Sequence, residues 1–145
     1  MKIKIKKLNE NATIPTYGSL YAAGADLYAC IDEDTVIESG QTKLIKTGLA
    51  IELPIGYAAF IYARSGLASK RGLAPANKVG VIDCDYRGEI MVALHNHSLT
   101  EQTVSKGERV AQMVIAPYIT AEFEEADELS DTARGDGGFG STGTK

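Results

Sequence analysis

A chain of 145 residues, 44% hydrophobic and 23% charged, has the size and balance of one ordinary folded domain, which excludes a disordered or multidomain reading. Fifteen Lys and Arg against 19 Asp and Glu give a net charge of -4 and a pI near 5.2. That excludes diffuse attraction to a nucleic-acid backbone or an anionic membrane, so any phosphate must be met by a few placed side chains. The longest apolar stretch, Tyr57 to Ala63, is far short of the roughly 20 residues that span a bilayer. The first seven residues alternate instead of forming a signal-peptide block, and the expectation is a cytoplasmic protein with neither membrane nor nucleic-acid partners.

In chain order, the periodicity is that of strands. Ile3 and Ile5 alternate with lysines. Residues 35–39, 43–47, 50–53, 57–62 and 89–94 are short runs rich in β-branched or aromatic residues. Residues 65–72 form either a helical turn or a loop, since the apolar spacing is too brief to separate the two. Asn77 to Gly88 reads as a hairpin carrying polar groups into a pocket, and residues 106–115 as a turn leading into an apolar strand. Glycines at 18, 24, 40, 48, 56, 72, 80, 88 and 107 suit turns between many short strands. No repeat at solenoid periods is present. The pattern predicts an all-β sandwich, jelly roll or small barrel. From Ala121 to Asp136 the chain turns acidic, with seven carboxylates and one arginine, and it ends in a glycine-rich run from Arg134. The division expected is a body over 1–120 and an arm over 121–145.

Neither Cys30 nor Cys84 has C-x-x-C spacing or nearby histidines, so both are expected as small core residues rather than metal ligands or disulfide partners. His95 and His97 would face one side of a strand, and without a third ligand in reach they read as a solvated strand end.

Four segments carry chemistry. In the tail, Gly135 and Gly140 have the spacing of a phosphate-binding loop and Ser141 and Thr142 follow, but the lysine and the helix of that motif are missing. A flexible Gly/Ser linker is the alternative, weakened by Arg134 and Phe139, which suit a phosphate and a planar base. Arg64-Ser65-Gly66 ends an apolar strand in a turn that offers a guanidinium, a hydroxyl and backbone N–H groups to an anion. In the segment Asn77 to Gly88, Asp83 and Asp85 are either simple turn formers or one catalytic carboxylate and one cap. Gln112, inside an apolar strand, needs partners from the core or from a ligand.

Taken together and in order, these segments resemble the trimeric deoxyuridine triphosphate nucleotidohydrolase (dUTPase) family. Five motifs carry the resemblance over residues 23–143: Ala23-Gly-Ala-Asp26-Leu, Arg64-Ser-Gly-Leu-Ala, Gly80-Val-Ile-Asp83-Cys-Asp-Tyr86-Arg-Gly-Glu, Gly107-Glu-Arg-Val-Ala-Gln112 and Arg134-Gly-Asp-Gly-Gly-Phe139-Gly-Ser-Thr-Gly. The third and fifth are highly specific. Ala63 stands where proline is common in the family, and Asp136 where a small polar residue or glutamate is often found.

The resemblance implies a distorted jelly-roll β-barrel. It also implies a homotrimer with sites at subunit interfaces and an exchanged C-terminal arm that closes over the nucleotide. The implied reaction is hydrolysis of dUTP to dUMP and pyrophosphate, with Asp83 orienting and deprotonating the water that attacks the α-phosphorus. Arg64, Ser65, Gly66 and Gln112 would contact phosphate, joined by Arg134, Gly140, Ser141 and Thr142 when the arm closes. Asn77, Gly80, Val81, Ile82 and Met91 would surround uracil, with backbone groups near Val81 and Ile82 pairing with its edge. Tyr86 would pack under the deoxyribose and exclude a 2′-hydroxyl, and Phe139 would stack on the base. Mg²⁺ would be carried by the triphosphate rather than by a protein cage, leaving Asp26 either as outer-shell support for the ion or as structure. A dCTP deaminase on the same architecture, a nucleotide-sensing regulator and a purely structural sandwich are the alternatives.

Overall fold

The computed structural model describes residues 1–138. It contains β1 (Lys4–Lys7), β2 (Thr16–Tyr17), β3 (Ala25–Tyr28), β4 (Thr35–Ile37), β5 (Thr42–Lys46), β6 (Leu49–Glu52) and β7 (Tyr57–Tyr62). A single helix follows, α1 (Ser65–Arg71), and then β8 (Leu73–Pro75), β9 (Gly80–Ile82), β10 (Met91–Asn96), β11 (Gln102–Val104) and β12 (Arg109–Pro117). The all-β jelly-roll expectation holds, with the barrel open. Antiparallel pairing gives a five-stranded sheet ordered β2-β3-β12-β7-β9, a three-stranded sheet β5-β10-β8, and the pairs β1-β6 and β11-β4. Each of the β-branched runs read from sequence falls on one of these strands.

Alternation fixes which faces meet. In β3, Ala25 and Leu27 point into the core while Asp26 and Tyr28 face the other way. Leu27, Ile37, Ile45, Leu73, Ile90, Leu94, Val104 and Val110 are fully buried in one cluster, each such side chain contributing about 1.5–3 kcal/mol by leaving water. Two buried polar side chains are satisfied inside it. Thr47 donates to the Ile90 carbonyl at 2.6 Å, and the Asn96 amide donates to the carbonyls of Ile37 at 2.9 Å and Thr100 at 2.8 Å. Both cysteines are free and half-buried, Cys84 against this core.

The central strand β12 places the site. It pairs with β3 and β7, so that Gln112 lies opposite Asp26 on one side and Tyr62 on the other. The segment 65–71 is a helix, closed by Gly72 in the left-handed region at φ +66°, where a Cβ would sit 2.8 Å from the Ser98 nitrogen. The hairpin reading of residues 77–88 needs correction, because β9 pairs with β7 and β10 pairs with β5 and β8. The eight residues between β9 and β10 are too many for a tight hairpin turn and carry the chain from one sheet to the other. His95 and His97 do share one face, their rings packed edge-on with centroids 4.3 Å apart. Past Pro117 the described residues hold neither strand nor helix and are almost all exposed.

Candidate active site

Two cavities gather most of the residues singled out by sequence. The first, about 300 Å³, lies where the chain crosses between sheets and is lined by Asn77, Gly80, Val81, Ile82, Asp83, Tyr86, Glu89 and Met91, among others. Strand β9 is the edge of its sheet, bonded to β7 alone, so its outer backbone edge is open to pair with a ligand. Gly80 permits the close packing here, since a Cβ would meet both Ile61 and Asn77 at 3.2 Å.

The loop after β9 is held by its own bonds. The Tyr86 N–H donates to the Asp83 carbonyl at 3.2 Å, and the Arg87 guanidinium donates to the carbonyls of Cys84 at 2.7 Å and Tyr86 at 3.0 Å. The Tyr86 hydroxyl donates to the Glu89 carbonyl at 3.1 Å, laying its ring across Gly88, where a Cβ would come within 2.3 Å of the hydroxyl oxygen. Glu89 accepts the Gly48 N–H at 2.8 Å and ties the loop to the body.

The second cavity, about 510 Å³, is lined by Gly24, Asp26, Arg64, Ser65, Gly66, Lys70, Arg71, Arg109 and Gln112, among others. Four cations face one carboxylate in a chain whose net charge is negative, so this hollow is built for an anion. Asp26 receives Arg64 Nε at 2.7 Å and Arg109 Nη1 at 3.1 Å, one on each oxygen. Both its oxygens are therefore held by arginines, which makes it a strut between β3, α1 and β12. The Gln112 amide donates to the Ala63 carbonyl at 2.8 Å and lines the cavity as well, so it serves the frame and the hollow together.

Among the described residues the two cavities share no lining residue. Arg134 lies in neither; it is exposed and donates to the Gly137 carbonyl within its own turn at 2.8 Å. Phe139, Gly140, Ser141 and Thr142 lie outside the described residues. Sequence reasoning passed over Lys70, Arg71, Arg109 and Glu89. Arg64 and Arg71 flank and end the same short helix, so their convergence on one hollow becomes visible only once residues 65–71 are taken as helix. Among the described residues no three His, Cys, Asp or Glu side chains cluster as a metal site, and no helix is long and apolar enough to cross a membrane.

A family model described as dUTPase matches residues 10–143. The chain belongs to the dUTPase family. It is 56% identical over 143 residues to the deoxyuridine 5'-triphosphate nucleotidohydrolase of Nautilia profundicola, with 99% of each chain covered. It is 54% identical over 145 residues to the enzyme of that name from a Hydrogenobaculum species, with 100% of each covered. Among solved structures it resembles the dUTPase of Staphylococcus bacteriophage 80alpha with dUpNHpp, at a TM-score of 0.89 and 30% identity over 99% of each chain. It also resembles a variant dUTPase of S. aureus phage phi11 described for its coordination of a structural Mg(II) ion, at a TM-score of 0.81 and 25% identity, covering 90% of this chain and 100% of that one. As a dUTPase the chain is a hydrolase of nucleotide metabolism, and its activity is dUTP hydrolysis.

Proposed function

We propose that dUTP is split at the α-phosphorus to dUMP and pyrophosphate, with the base and sugar in the cavity beside β9 and the triphosphate in the cationic cavity beside α1. The separation of the two cavities carries this reading. One chain supplies a base-sized hollow and an anion hollow with no residue in common, which suits a site assembled where subunits of a homotrimer meet.

In the first hollow the open edge of β9 at Val81 and Ile82 pairs with uracil as a complementary base does, with Asn77, Gly80 and Met91 around it, and Tyr86 lies under the deoxyribose. Asp83, at the end of β9, holds and deprotonates the attacking water. A carboxylate is a weak base, so placing the water and neutralising charge contribute more than proton abstraction. In the second hollow Arg64, Ser65, Gly66 and Gln112 hold phosphate oxygens through charge-assisted hydrogen bonds. The arm, residues 121–145, brings Arg134, Phe139, Gly140, Ser141 and Thr142 over the nucleotide, with Phe139 stacked on the base.

The chain's residues fit Mg²⁺ carried by the ligand. Among the described residues Asp26 is the only carboxylate lining the cationic hollow, and it is already held by two guanidinium groups, so triphosphate oxygens and water remain as the ion's donors. Bound in that way, the ion would offset triphosphate charge. The setting is cytoplasmic, with no nucleic-acid or membrane partner.

Pyrophosphate release from dUTP with Mg²⁺, measured beside dTTP, dCTP and UTP, tests the reading. Strong preference for dUTP is expected. Comparable hydrolysis of all four would mean that the first hollow reads neither base nor sugar, and ammonia release from dCTP without dUTP hydrolysis would overturn the reaction itself.

A further inference from the structure

Helix α1 has seven residues, too few to keep its place through its own hydrogen bonds. Leu67 anchors its middle in the core. Its last residue, Arg71, spreads a three-pronged fork, with Nε donating to Gln102 Oε1 at 3.1 Å, Nη1 to the Glu108 carboxylate and Nη2 to the Thr103 carbonyl. The other Glu108 oxygen accepts the Ser105 N–H at 3.0 Å, which fixes the acid to the turn between β11 and β12. At the opposite end of the helix, Arg64 is held through Asp26 to Arg109. Both ends of α1 are thus tied to one dipeptide, Glu108-Arg109.

We propose that the Arg71–Glu108 pair is a positioning element that sets the first turn of α1, and with it Ser65 and Gly66, across the phosphate cavity. The inference rests on the reading of that cavity as the triphosphate site. Arg71 also lines the hollow, and the alternative is that its charge meets the triphosphate directly. The two roles differ in sign at Glu108. Neutralising that acid frees the arginine's charge, which strengthens a direct contact, but it loosens the fork and weakens a positional one.

The test is steady-state dUTP hydrolysis by full-length wild type, Glu108→Gln, Arg71→Lys and the double variant, with melting temperatures taken alongside. Lysine keeps the charge but cannot reproduce the fork, so it is the conservative arm if Glu108→Gln folds poorly. Each single change is expected to raise KM for dUTP about tenfold while kcat moves less than about threefold, and the double variant to be no worse than the worse single, because the two residues act as one unit. Glu108→Asp, which keeps the acid, recovers part of the loss. An unchanged or lowered KM in Glu108→Gln overturns the proposal, as does a lowered kcat at unchanged KM, the mark of lost folded enzyme alone. Absence of dUTP turnover in wild type would instead refute the proposed function.

Discussion

No side chain fits at Gly24, because a Cβ there would lie 2.5 Å from the amide oxygen of Gln112. The glycine of the first motif and the glutamine of the fourth are therefore one device, since the missing side chain just before β3 makes space for the amide on β12. Gly24→Ala pushes the amide off the Ala63 carbonyl. The expected result is a stability loss of about 1–2 kcal/mol by overpacking and a higher KM for dUTP, read by chemical denaturation and initial rates.

Asp83→Asn keeps the size of the side chain and removes its ability to take a proton. Turnover is expected to fall by about 10²–10⁴-fold while the affinity for dUTP, measured by calorimetry, stays near that of wild type. A variant that turns over as fast as wild type removes Asp83 from the mechanism.

Gly88 lies under the Tyr86 hydroxyl, so Gly88→Ala must displace that ring. The expected outcome is about a tenfold loss in the ratio of kcat/KM for dUTP over UTP, coming mainly from gained UTP hydrolysis. Competition assays with both nucleotides measure it directly.

Asp26→Asn leaves Arg64 and Arg109 without their shared acid. The pair with Arg64 is partly buried, with side-chain exposures of 27% and 13%, so the expected cost lies between those of surface and buried pairs, roughly 1–3 kcal/mol. A urea titration reads the cost, and high salt should shrink the difference from wild type.

Partial loss of water around its ring, with His95 and then Lys78 nearby, holds His97 below the ordinary imidazole pKa of 6.5. The unfolded chain therefore takes up this proton first as pH falls, and stability declines from pH 6.5 down to the lowered folded value, then levels. Above pH 6.5 the group adds no slope. His97→Gln is expected to flatten this part of the stability profile, as followed by thermal melts across pH 5–8.

Much of the frame was legible because runs of aromatic and β-branched residues such as Tyr57–Tyr62 announce strands locally. What was not legible depends on partners distant in sequence. The role of Asp26 stayed open because the arginines that hold it, Arg64 and Arg109, are distant in sequence, the second lying 83 residues away. Residues 77–88 looked like a hairpin because nothing local states that β9 takes β7 as its partner. Arg71 passed unnoticed because its fork closes on residues of β11 and of the turn after it. Asn77, Gly80, Val81, Ile82, Asp83, Tyr86 and Met91 arrive in one hollow together because they are close in sequence.

Among the described residues no side chain lines both hollows, and that has a consequence for how such a protein can change. On the proposed assignment, codons that retune which base is admitted differ from those that govern the hold on the charged tail, so the two traits can mutate one at a time. A substitution that sharpens rejection of thymine therefore need not touch the residues proposed to grip phosphate.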